Sequence, residues 1–435
     1  MHTEYAQRRQ RLMAKIGSGV AIFCSAPPAV NHADVEYNYR QDSDFYYLTG
    51  FTEPDAVAVF VPNHEEHKFI LFVRPRNPEA EVWTGYRAGL EGAKEKYGAD
   101  IAYDISELDQ KLPQYLEKSD PLYYTFGRDQ ELNLKIIQHY QKLLFSYPKR
   151  GTGPTAIANA SLLLASLRQI KSVYELEKVR KAIEISVEAH NQAFHSSRPL
   201  VFEYEIQAEM EHHFRKSGAM GVAYPSIVAS GINSCILHYV DNNAQMHDGD
   251  LLLIDAGCCY DYYNADITRT FPVGGKFTTE QKIIYELVLE AQLAAIAEVK
   301  PNHPYNHSYD VAVKVITQGL LDLGILAGEL DKLIEEKKYR PFFMHGIGHW
   351  LGLDVHDVGV YKLGETWQNL EENMIITMEP GIYIAPNAKA EEGQPEIHDR
   401  WKGIGIRIED DVLVTATGNE VLTRGVPKSI AAMEK

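Results

Sequence analysis

The feature that most constrains the fold of this chain is a set of carboxylates placed inside apolar, strand-like runs. These acids are Asp255 in LLLIDAG, Asp266 in DITRTFP, Glu379 in TMEPGIYI and Glu409 in GIRIEDD. A carboxylate within an apolar strand is costly unless a partner or a metal neutralises it, and one such aspartate alone favours a structural salt bridge. Four acids that face one core would repel one another by several kcal/mol at an effective dielectric of about 20. The set therefore predicts a site that holds two metal ions.

Histidines cluster in the segment HGIGHWLGLDVHD, which contains His345, His349 and His356. One of them is expected to complete the metal shell as a nitrogen donor. The motif HExxH, which marks one class of zinc site, does not occur. A mixed carboxylate and imidazole set suits manganese, cobalt, iron or zinc, and its oxygen-rich balance favours manganese.

The length of the chain predicts two domains, since 435 residues exceed what a single hydrophobic core usually serves. Strand-like runs such as VAIFCS, AVAVFV and KFILFV alternate with helix-like stretches, which indicates an α/β domain spanning 1–172. The segment 146–155 carries two prolines and two glycines and is predicted to be a loop. Ser172 is expected to cap a long helix that begins the second domain, 173–435.

The second domain combines amphipathic helices with strands rich in β-branched residues, which predicts an α+β architecture. Helices are expected at 202–217, 279–299 and 308–323. The clearest strands are LLLIDAGCC, MIITMEPGIYI and GIRIEDDVLVT. No GxGxxG or GxxxxGK[ST] motif supports a nucleotide-binding fold.

Composition argues against several classes of partner. The formal charge of −17 repels phosphate backbones and anionic lipid surfaces, so neither nucleic acid nor a membrane is expected as a partner. The first residues lack the apolar core of a signal peptide, and no run approaches the ~20 apolar residues that span a bilayer. The four cysteines form no CxxC pair, which favours reduced thiols. A cytoplasmic location is therefore expected.

The order of the acids and of one histidine, Asp, Asp, His, Glu, Glu, resembles that of the Xaa-Pro aminopeptidases, the aminopeptidase P group of the pita-bread metallopeptidases. The residues that meet this order are Asp255, Asp266, His349, Glu379 and Glu409. The resemblance extends to the first domain through NHADVEYNYRQDSDFYYLTGF and EVWTGYR. It thus covers nearly the whole chain, whereas the short methionine aminopeptidases share the metal fold but lack such a domain.

The resemblance implies an α+β fold, with a C-terminal pita-bread (creatinase/aminopeptidase) domain preceded by a smaller α/β creatinase-like N-terminal domain. It also implies two bridged divalent metal ions, with Mn²⁺ expected and Co²⁺ or Zn²⁺ as alternatives. Asp255 would bind one metal, whereas His349 and Glu379 would bind the other. Asp266 and Glu409 would bind both.

Further side chains of the family pattern surround the metals. The implied catalytic and substrate-binding residues are His238, His345, His356, Arg407 and Tyr383. In the first domain, Asp34 and Trp83 resemble substrate-edge residues that reach a neighbouring subunit's site, in keeping with the homo-oligomer, a dimer or tetramer, that the family implies. The match is loose around the domain junction, and Arg150 receives no role.

The expected activity is hydrolysis of the N-terminal Xaa-Pro bond of peptides by a metal-bridging hydroxide, with Glu379 as the general base. His238 or His356 is expected to donate a hydrogen bond to the scissile carbonyl oxygen or the developing oxyanion; the alternative is that both support the metal ligands. A proline dipeptidase with the same metals is the nearest competing function. A non-catalytic pita-bread binding protein and a metal-free, creatinase-like hydrolase are less favoured, because both should have lost several metal ligands.

Overall fold

The computed structural model describes residues 2–434, and the chain divides into one unit that ends at Leu167 and a second that begins at Arg168. The helices of the first unit are α1 (His2–Ile16), α2 (Ser43–Thr49), α3 (Pro78–Thr84), α4 (Gly89–Glu95), α5 (Leu108–Leu116), α6 (Gln130–Arg150) and α7 (Ser161–Gln169), the last of which crosses the division. Its strands are β1 (Val20–Cys24), β2 (Val30–His32), β3 (Val35–Glu36), β4 (Val57–Phe60), β5 (Phe69–Val73), β6 (Ile101–Asp104), β7 (Leu122–Tyr124) and β8 (Ile157–Ala158).

The first unit is built around a mixed sheet with the strand order β6-β5-β4-β1-β7-β8. β1 pairs antiparallel with β4 and parallel with β7. Every residue of β1, β4 and β5 is buried, which indicates that both faces of the sheet are covered. Leu112 of α5 and Ile136 of α6 pack with Val20, Ile22 and Val59 in one core cluster. The predicted α/β domain is confirmed, but the alternation is incomplete, because β4 and β5 follow each other without a helix between them and pair antiparallel.

The predicted loop at 146–155 is wrong in its first half, because α6 continues to Arg150. Pro148 removes one N–H donor, but its fixed φ is helical, so a helix already formed over the preceding turns continues through it. Gly151 then ends the helix in the left-handed conformation, with φ of 69°, and its N–H donates to the Tyr147 carbonyl oxygen.

The second unit contains the remaining elements. Its helices are α8 (Val173–Ser196), α9 (Glu203–Lys216), α10 (Thr279–Ala297), α11 (His307–Asp322), α12 (Leu330–Glu335) and α13 (Ile430–Met433). Its strands are β9 (Gly221–Val222), β10 (Ile227–Ser230), β11 (Leu251–Asp255), β12 (Cys258–Tyr260), β13 (Tyr263–Asn264), β14 (Thr268–Pro272), β15 (Lys362–Leu363), β16 (Thr366–Trp367), β17 (Ile375–Met378), β18 (Gly381–Ile384), β19 (Ile404–Arg407), β20 (Asp410–Val414) and β21 (Asn419–Val421).

The helices predicted for the second unit are confirmed by α9, α10 and α11. The Ser172 side chain accepts from the Glu175 N–H and the Glu175 side chain accepts from the Ser172 N–H, so the expected cap at the start of α8 is a complete capping box. Within residues 2–434, no helix combines the length and the apolar character needed to cross a membrane.

The runs MIITMEPGIYI and GIRIEDDVLVT, each predicted as one strand, are divided between two sheets. β17 pairs with β20, whereas β18 pairs with β19. Pro380 explains the first break, since proline has no N–H to donate to a ladder. The second break lies opposite the first, where the Ile408 N–H donates to the Pro380 carbonyl oxygen at 3.3 Å.

Candidate functional site

Asp255 and Asp266 approach each other at one end of the β10-β11-β14 sheet. Asp255 is the last residue of β11 and lies opposite Thr268, the first residue of β14. The Tyr224 hydroxyl oxygen lies 2.7 Å from Asp255 Oδ1 and 2.5 Å from Asp266 Oδ1. A hydroxyl carries one hydrogen, so it donates to only one of these oxygens at a time. The other carboxylate oxygen requires a proton or a cation.

Glu379 and Glu409 lie at the two strand breaks. The β17/β20 ladder lies on one side of both residues and the β18/β19 ladder on the other. The Thr268 hydroxyl donates to Glu409 Oε2 at 2.7 Å, and the Glu409 N–H donates to the Thr268 carbonyl oxygen at 3.0 Å. These bonds join the second break to β14 and therefore to the two aspartates.

His349 completes this carboxylate cluster. Its Nε2 lies 3.4 Å from Asp266 Oδ2 and 3.7 Å from Glu379 Oε1. Its Nδ1 donates to the Trp350 carbonyl oxygen at 3.1 Å, which leaves Nε2 to face the carboxylates. One ligand-capable atom from each of Asp266, His349 and Glu409 lies within 4.8 Å of the other two. The acids and the histidine singled out in the sequence are thus brought together.

Two glycines permit this close approach of chain segments. A Cβ added at Gly257 would lie 1.8 Å from the Ala265 carbonyl oxygen, and one added at Gly348 would lie 2.0 Å from the Thr377 carbonyl oxygen. Because backbone atoms cannot move aside as side chains do, any larger residue would push apart the segments that carry the cluster.

The cluster concentrates negative charge away from water. Burial raises the pKa of Glu379 to about 7, against the opposing charges of His349 and Arg407. Burial, with the charges of Asp266 and Glu379, raises the pKa of Glu409 well above its usual range. Burial acts to lower the pKa of His349, but contact with Asp266 and the charge of Glu379 raise it to about 9. The residues fit a divalent metal site, since cations would take the place of the protons that these groups retain.

Arg407 connects the cluster to a neighbouring histidine. Its Nη2 lies 2.6 Å from Asp255 Oδ2, and its Nη1 donates to the Tyr383 hydroxyl oxygen at 2.8 Å. His345 Nδ1 donates to the Gly346 carbonyl oxygen at 2.7 Å, so its Nε2, 3.0 Å from the Tyr383 hydroxyl, accepts from the tyrosine. Burial and the charge of Arg407 lower the pKa of His345 to about 4, which keeps the ring neutral.

His238 and His356 are both exposed and lie beside this network. The His356 ring centroid is 4.2 Å from that of His349, with the rings inclined at 68°. Burial and the charge of His349 lower the pKa of His356, and the charge of His238 acts in the same direction on His345 and His356. The outer histidines, which are His238, His345 and His356, therefore lie around the carboxylate cluster.

Three residues considered in the sequence lie in the first unit. Asp34 is exposed in the turn between β2 and β3. Trp83 on α3 is 88% exposed, which excludes a packed core tryptophan. Arg150 forms a local ion pair, with its Nη2 2.6 Å from Glu117 Oε2.

Sequence reasoning missed Tyr224 and Thr268, which hydrogen-bond to members of the cluster. Thr268 lies two residues after Asp266 along an extended segment, and the period of two in a strand would have placed both side chains on one face. Tyr224 carries no comparable signal, because nothing in its flanking residues distinguishes it from the other tyrosines of the chain.

Known proteins match both units of the chain. The family model for metallopeptidase family M24 matches residues 177–416, and that for the aminopeptidase P N-terminal domain matches residues 5–124. The chain is 43% identical over 433 residues to the Xaa-Pro aminopeptidase of Escherichia coli (strain K12), covering 99% of this chain and 96% of that protein. It is 35% identical over 447 residues to Xaa-Pro aminopeptidase 3 of Homo sapiens, covering 99% and 85%.

Solved structures match over the same extent. The aminopeptidase PepP of Pseudomonas aeruginosa superposes with a TM-score of 0.94 at 47% identity, covering 100% of this chain and 97% of that one. Aminopeptidase P from E. coli with the inhibitor Pro-Leu gives a TM-score of 0.92 at 42% identity, covering 100% and 97%. These matches confirm the predicted fold class, a C-terminal pita-bread domain preceded by an α/β N-terminal domain.

Proposed function

Because this chain belongs to metallopeptidase family M24, we propose that it is an Xaa-Pro aminopeptidase, which removes the N-terminal residue from peptides whose second residue is proline. The observation that carries this proposal is the similarity to Xaa-Pro aminopeptidases across both domains rather than across the metal-binding domain alone. A proline dipeptidase is not favoured, since the Xaa-Pro aminopeptidases of Escherichia coli and Haemophilus influenzae each match 99% of this chain.

Two divalent metal ions belong to this proposal. The proposed ligands are Asp255, Asp266, His349, Glu379 and Glu409. Four carboxylates and one imidazole favour manganese, with cobalt or zinc as alternatives. The raised pKa values of Glu379 and Glu409 support the assignment, because buried carboxyl groups that resist ionisation mark positions where positive charge is needed. Such ions supply Lewis acidity, which makes water nucleophilic near neutral pH.

Glu379 is the proposed proton carrier. Its Oε1 lies 3.7 Å from His349 Nε2 and its Oε2 lies 4.0 Å from His345 Nδ1, so it stands between the proposed ligands and the outer histidines. Its carboxylate takes the proton of the attacking water and delivers it to the proline nitrogen. That delivery matters because the proline nitrogen has to gain a proton to leave as the amine of the shortened peptide.

His238 and His356 are the proposed donors to the scissile carbonyl oxygen, where preorganised donors contribute most to the rate. Their exposure supports this role, since part of each residue faces solvent. His345 has both ring nitrogens engaged within the protein, by Gly346 and Tyr383. We therefore assign His345, Tyr383 and Arg407 to holding the substrate site in shape rather than to proton transfer.

The N-terminal domain, proposed to span 1–172 with the catalytic domain at 173–435, contributes to assembly. Asp34 and Trp83 are proposed to reach the substrate site of a neighbouring subunit in a dimer or tetramer, and their exposure supports this. Activity per chain should then fall on dilution to the monomer, and an equally active monomer would contradict the idea. The proposed location is cytoplasmic.

Peptide hydrolysis by metal-stripped protein, before and after addition of manganese, tests the proposed function. The substrates are Arg-Pro-Pro and a series of Xaa-Pro dipeptides. Manganese-dependent release of arginine from the tripeptide is expected. Cleavage of dipeptides alone would indicate a proline dipeptidase, and no cleavage with any divalent metal would indicate a binding protein.

A further inference from the structure

A second group of metal-ligating side chains lies outside the carboxylate cluster. Glu298 follows α10, His303 lies in the next turn and His307 is the first residue of α11. Glu298 Oε2 is 3.3 Å from His303 Nδ1 and 3.4 Å from His307 Nε2. One ligand-capable atom from each residue lies within 4.8 Å of the other two. Three donors thus converge from three separate backbone positions.

The His303 ring provides an independent observation. Its Nδ1 is shielded from solvent and makes no hydrogen bond within residues 2–434, because the contact with Glu298 lacks hydrogen-bond geometry. A shielded nitrogen without a partner is unfavourable, and a bound cation would satisfy it. The His307 side chain is 47% exposed, so the third donor faces water.

The backbone around His303 is held in place. The Leu370 N–H donates to the His303 carbonyl oxygen at 2.8 Å, and the Asn302 N–H donates to the Leu370 carbonyl oxygen at 2.9 Å. The Tyr305 N–H donates to the Gln368 carbonyl oxygen at 2.9 Å. Because the two other donors lie at the ends of helices, little conformational freedom remains to be lost when an ion binds.

We propose that Glu298, His303 and His307 form an additional metal site, separate from the carboxylate cluster, which takes a borderline transition-metal ion such as Zn²⁺, Ni²⁺ or Cu²⁺. Two imidazoles and one carboxylate with water in the open position suit these ions, whereas Mg²⁺ and Ca²⁺ take oxygen ligands. Lys300 Nζ lies 3.8 Å from Glu298 Oε2 and opposes a cation, but this side chain is 43% exposed and can turn into solvent. The competing account is that protonated imidazoles pair with Glu298 and no metal binds.

Zinc binding by the metal-stripped full-length chain distinguishes the two accounts. Bound Zn²⁺ is counted by mass spectrometry after dialysis near neutral pH, for the wild type and for His307→Ala and His303→Ala. The wild type should bind one more equivalent of Zn²⁺ than either variant. The control is His213→Ala. His213 lies 3.2 Å from Glu188 but belongs to no group of three ligating side chains among the residues that the structure describes, so this variant should match the wild type.

Cu²⁺ provides a direct signature of the ligands. The electron paramagnetic resonance spectrum of the wild type should contain a component with two nitrogen donors that is absent from His307→Ala. Equal Zn²⁺ counts in the wild type and both variants, or identical Cu²⁺ spectra, would overturn the proposal. His307 is exposed at the start of a helix, so this variant should fold, and manganese-dependent peptide hydrolysis should be unchanged in it. The Zn²⁺ count does not depend on that hydrolysis, so the two proposals can fail separately.

Discussion

Glu409 and Asp410 are consecutive, buried carboxylates with opposite electrostatic surroundings. Burial and the charge of Asp266, together with other acids of the cluster, raise the pKa of Glu409 well above its usual range. Asp410 instead lies 2.7 Å from Arg269 Nη2 and 2.6 Å from Lys428 Nζ. Burial acts to raise the pKa of Asp410, but these two cations lower it to about 2.

These neighbours show two ways to bury a negative charge. Around Asp410 the chain supplies its own cations, and the group stabilises the fold as it stands. Around Glu409 the acids of the cluster outnumber the opposing charges, which are those of Arg407 and His349. A buried cluster that the chain leaves uncompensated stores unfavourable energy, which is typical of a functional site.

The largest expected effect comes from Glu379→Gln, which keeps the shape of the side chain but removes the proposed proton carrier. Turnover of Arg-Pro-Pro at saturating manganese should fall by about 10²- to 10⁴-fold. Steady-state kinetics measure turnover, and metal analysis of the same preparation measures bound metal. The control is Glu391→Gln, at a surface glutamate that pairs with Lys338 at 3.1 Å. Near-normal turnover with metal retained would refute the role of Glu379.

The next largest effect should distinguish Asp410 from Glu409 by how much neutralising each residue changes stability. Asp410→Asn leaves Arg269 and Lys428 facing no counter-charge, so the free energy of unfolding of the metal-stripped chain should fall by about 3–5 kcal/mol. Glu409→Gln puts a neutral side chain of the same shape in place of a carboxyl group whose ionisation the cluster opposes, so the same free energy should be unchanged or higher. Chemical denaturation measures both variants. Equal losses of stability would break the contrast between the clusters.

The pH dependence of stability sharpens the contrast. The pKa of Glu379 is raised from 4.5 to about 7 and that of His349 from 6.5 to about 9. The native metal-free chain therefore binds these protons more tightly than the unfolded chain does. The stability that this tighter binding contributes is complete below the pKa of each group in the unfolded chain. It is lost as pH rises through the pKa of the same group in the folded chain. Each group contributes about 1.4 kcal/mol per pH unit within its window, so stability should fall from acid to alkaline pH.

The pKa of Asp410 is shifted in the opposite direction, so its effect on stability has the opposite dependence on pH. Its pKa is lowered from 3.8 to about 2, so its stabilisation is present above 3.8 and is lost as pH falls through the folded value. Denaturation of the metal-stripped chain at a series of pH values measures both trends. Added manganese should reverse the loss of stability with rising pH that Glu379 and His349 cause, because metal ions and protons compete for the same groups. A metal-free chain that grows more stable as pH rises from 4.5 to about 9 would contradict the assignment.

The smallest effect is expected for Arg407→Lys, which keeps the positive charge but cannot reproduce the paired bonds to Asp255 and Tyr383. Affinity for metal should fall by about 10- to 100-fold, and saturating manganese should restore most of the turnover. The control is Arg180→Lys, because Arg180 pairs with Glu420 at the protein surface. A loss of turnover that saturating metal does not relieve would assign Arg407 to the substrate rather than to the cluster.

The main features of the carboxylate cluster could be predicted from the sequence because the cost of burying charge is visible locally. An acid such as Asp255 within LLLIDAG needs a partner wherever the strand lies in the fold. Tyr224 could not be predicted, since it reaches both aspartates only through the tertiary arrangement. The strand break before Asp410 could not be predicted either, because no proline interrupts the sequence there. Its position depends on where the pairing with the partner strand ends.

The fold shows the same distinction between local and tertiary information. The capping box of Ser172 and Glu175 and the apolar spacing of α9, α10 and α11 are local, and they are predicted within two residues of their observed ends. The loop predicted at 146–155 fails because the preference of Pro148 for a helix end is weak beside a helix already formed.

The paired strand breaks also restrict how this protein can be altered. Each segment has two residues that belong to neither ladder. They are Glu379 and Pro380 in one segment and Ile408 and Glu409 in the other. One residue inserted in either segment would slip a ladder by one position and turn its buried side chains to the opposite face. The two ladders therefore fix the distance between Glu379 and Glu409. A redesign for another metal has to exchange side chains on this framework, because lengthening or shortening either segment would disrupt the sheets before it changed the chemistry.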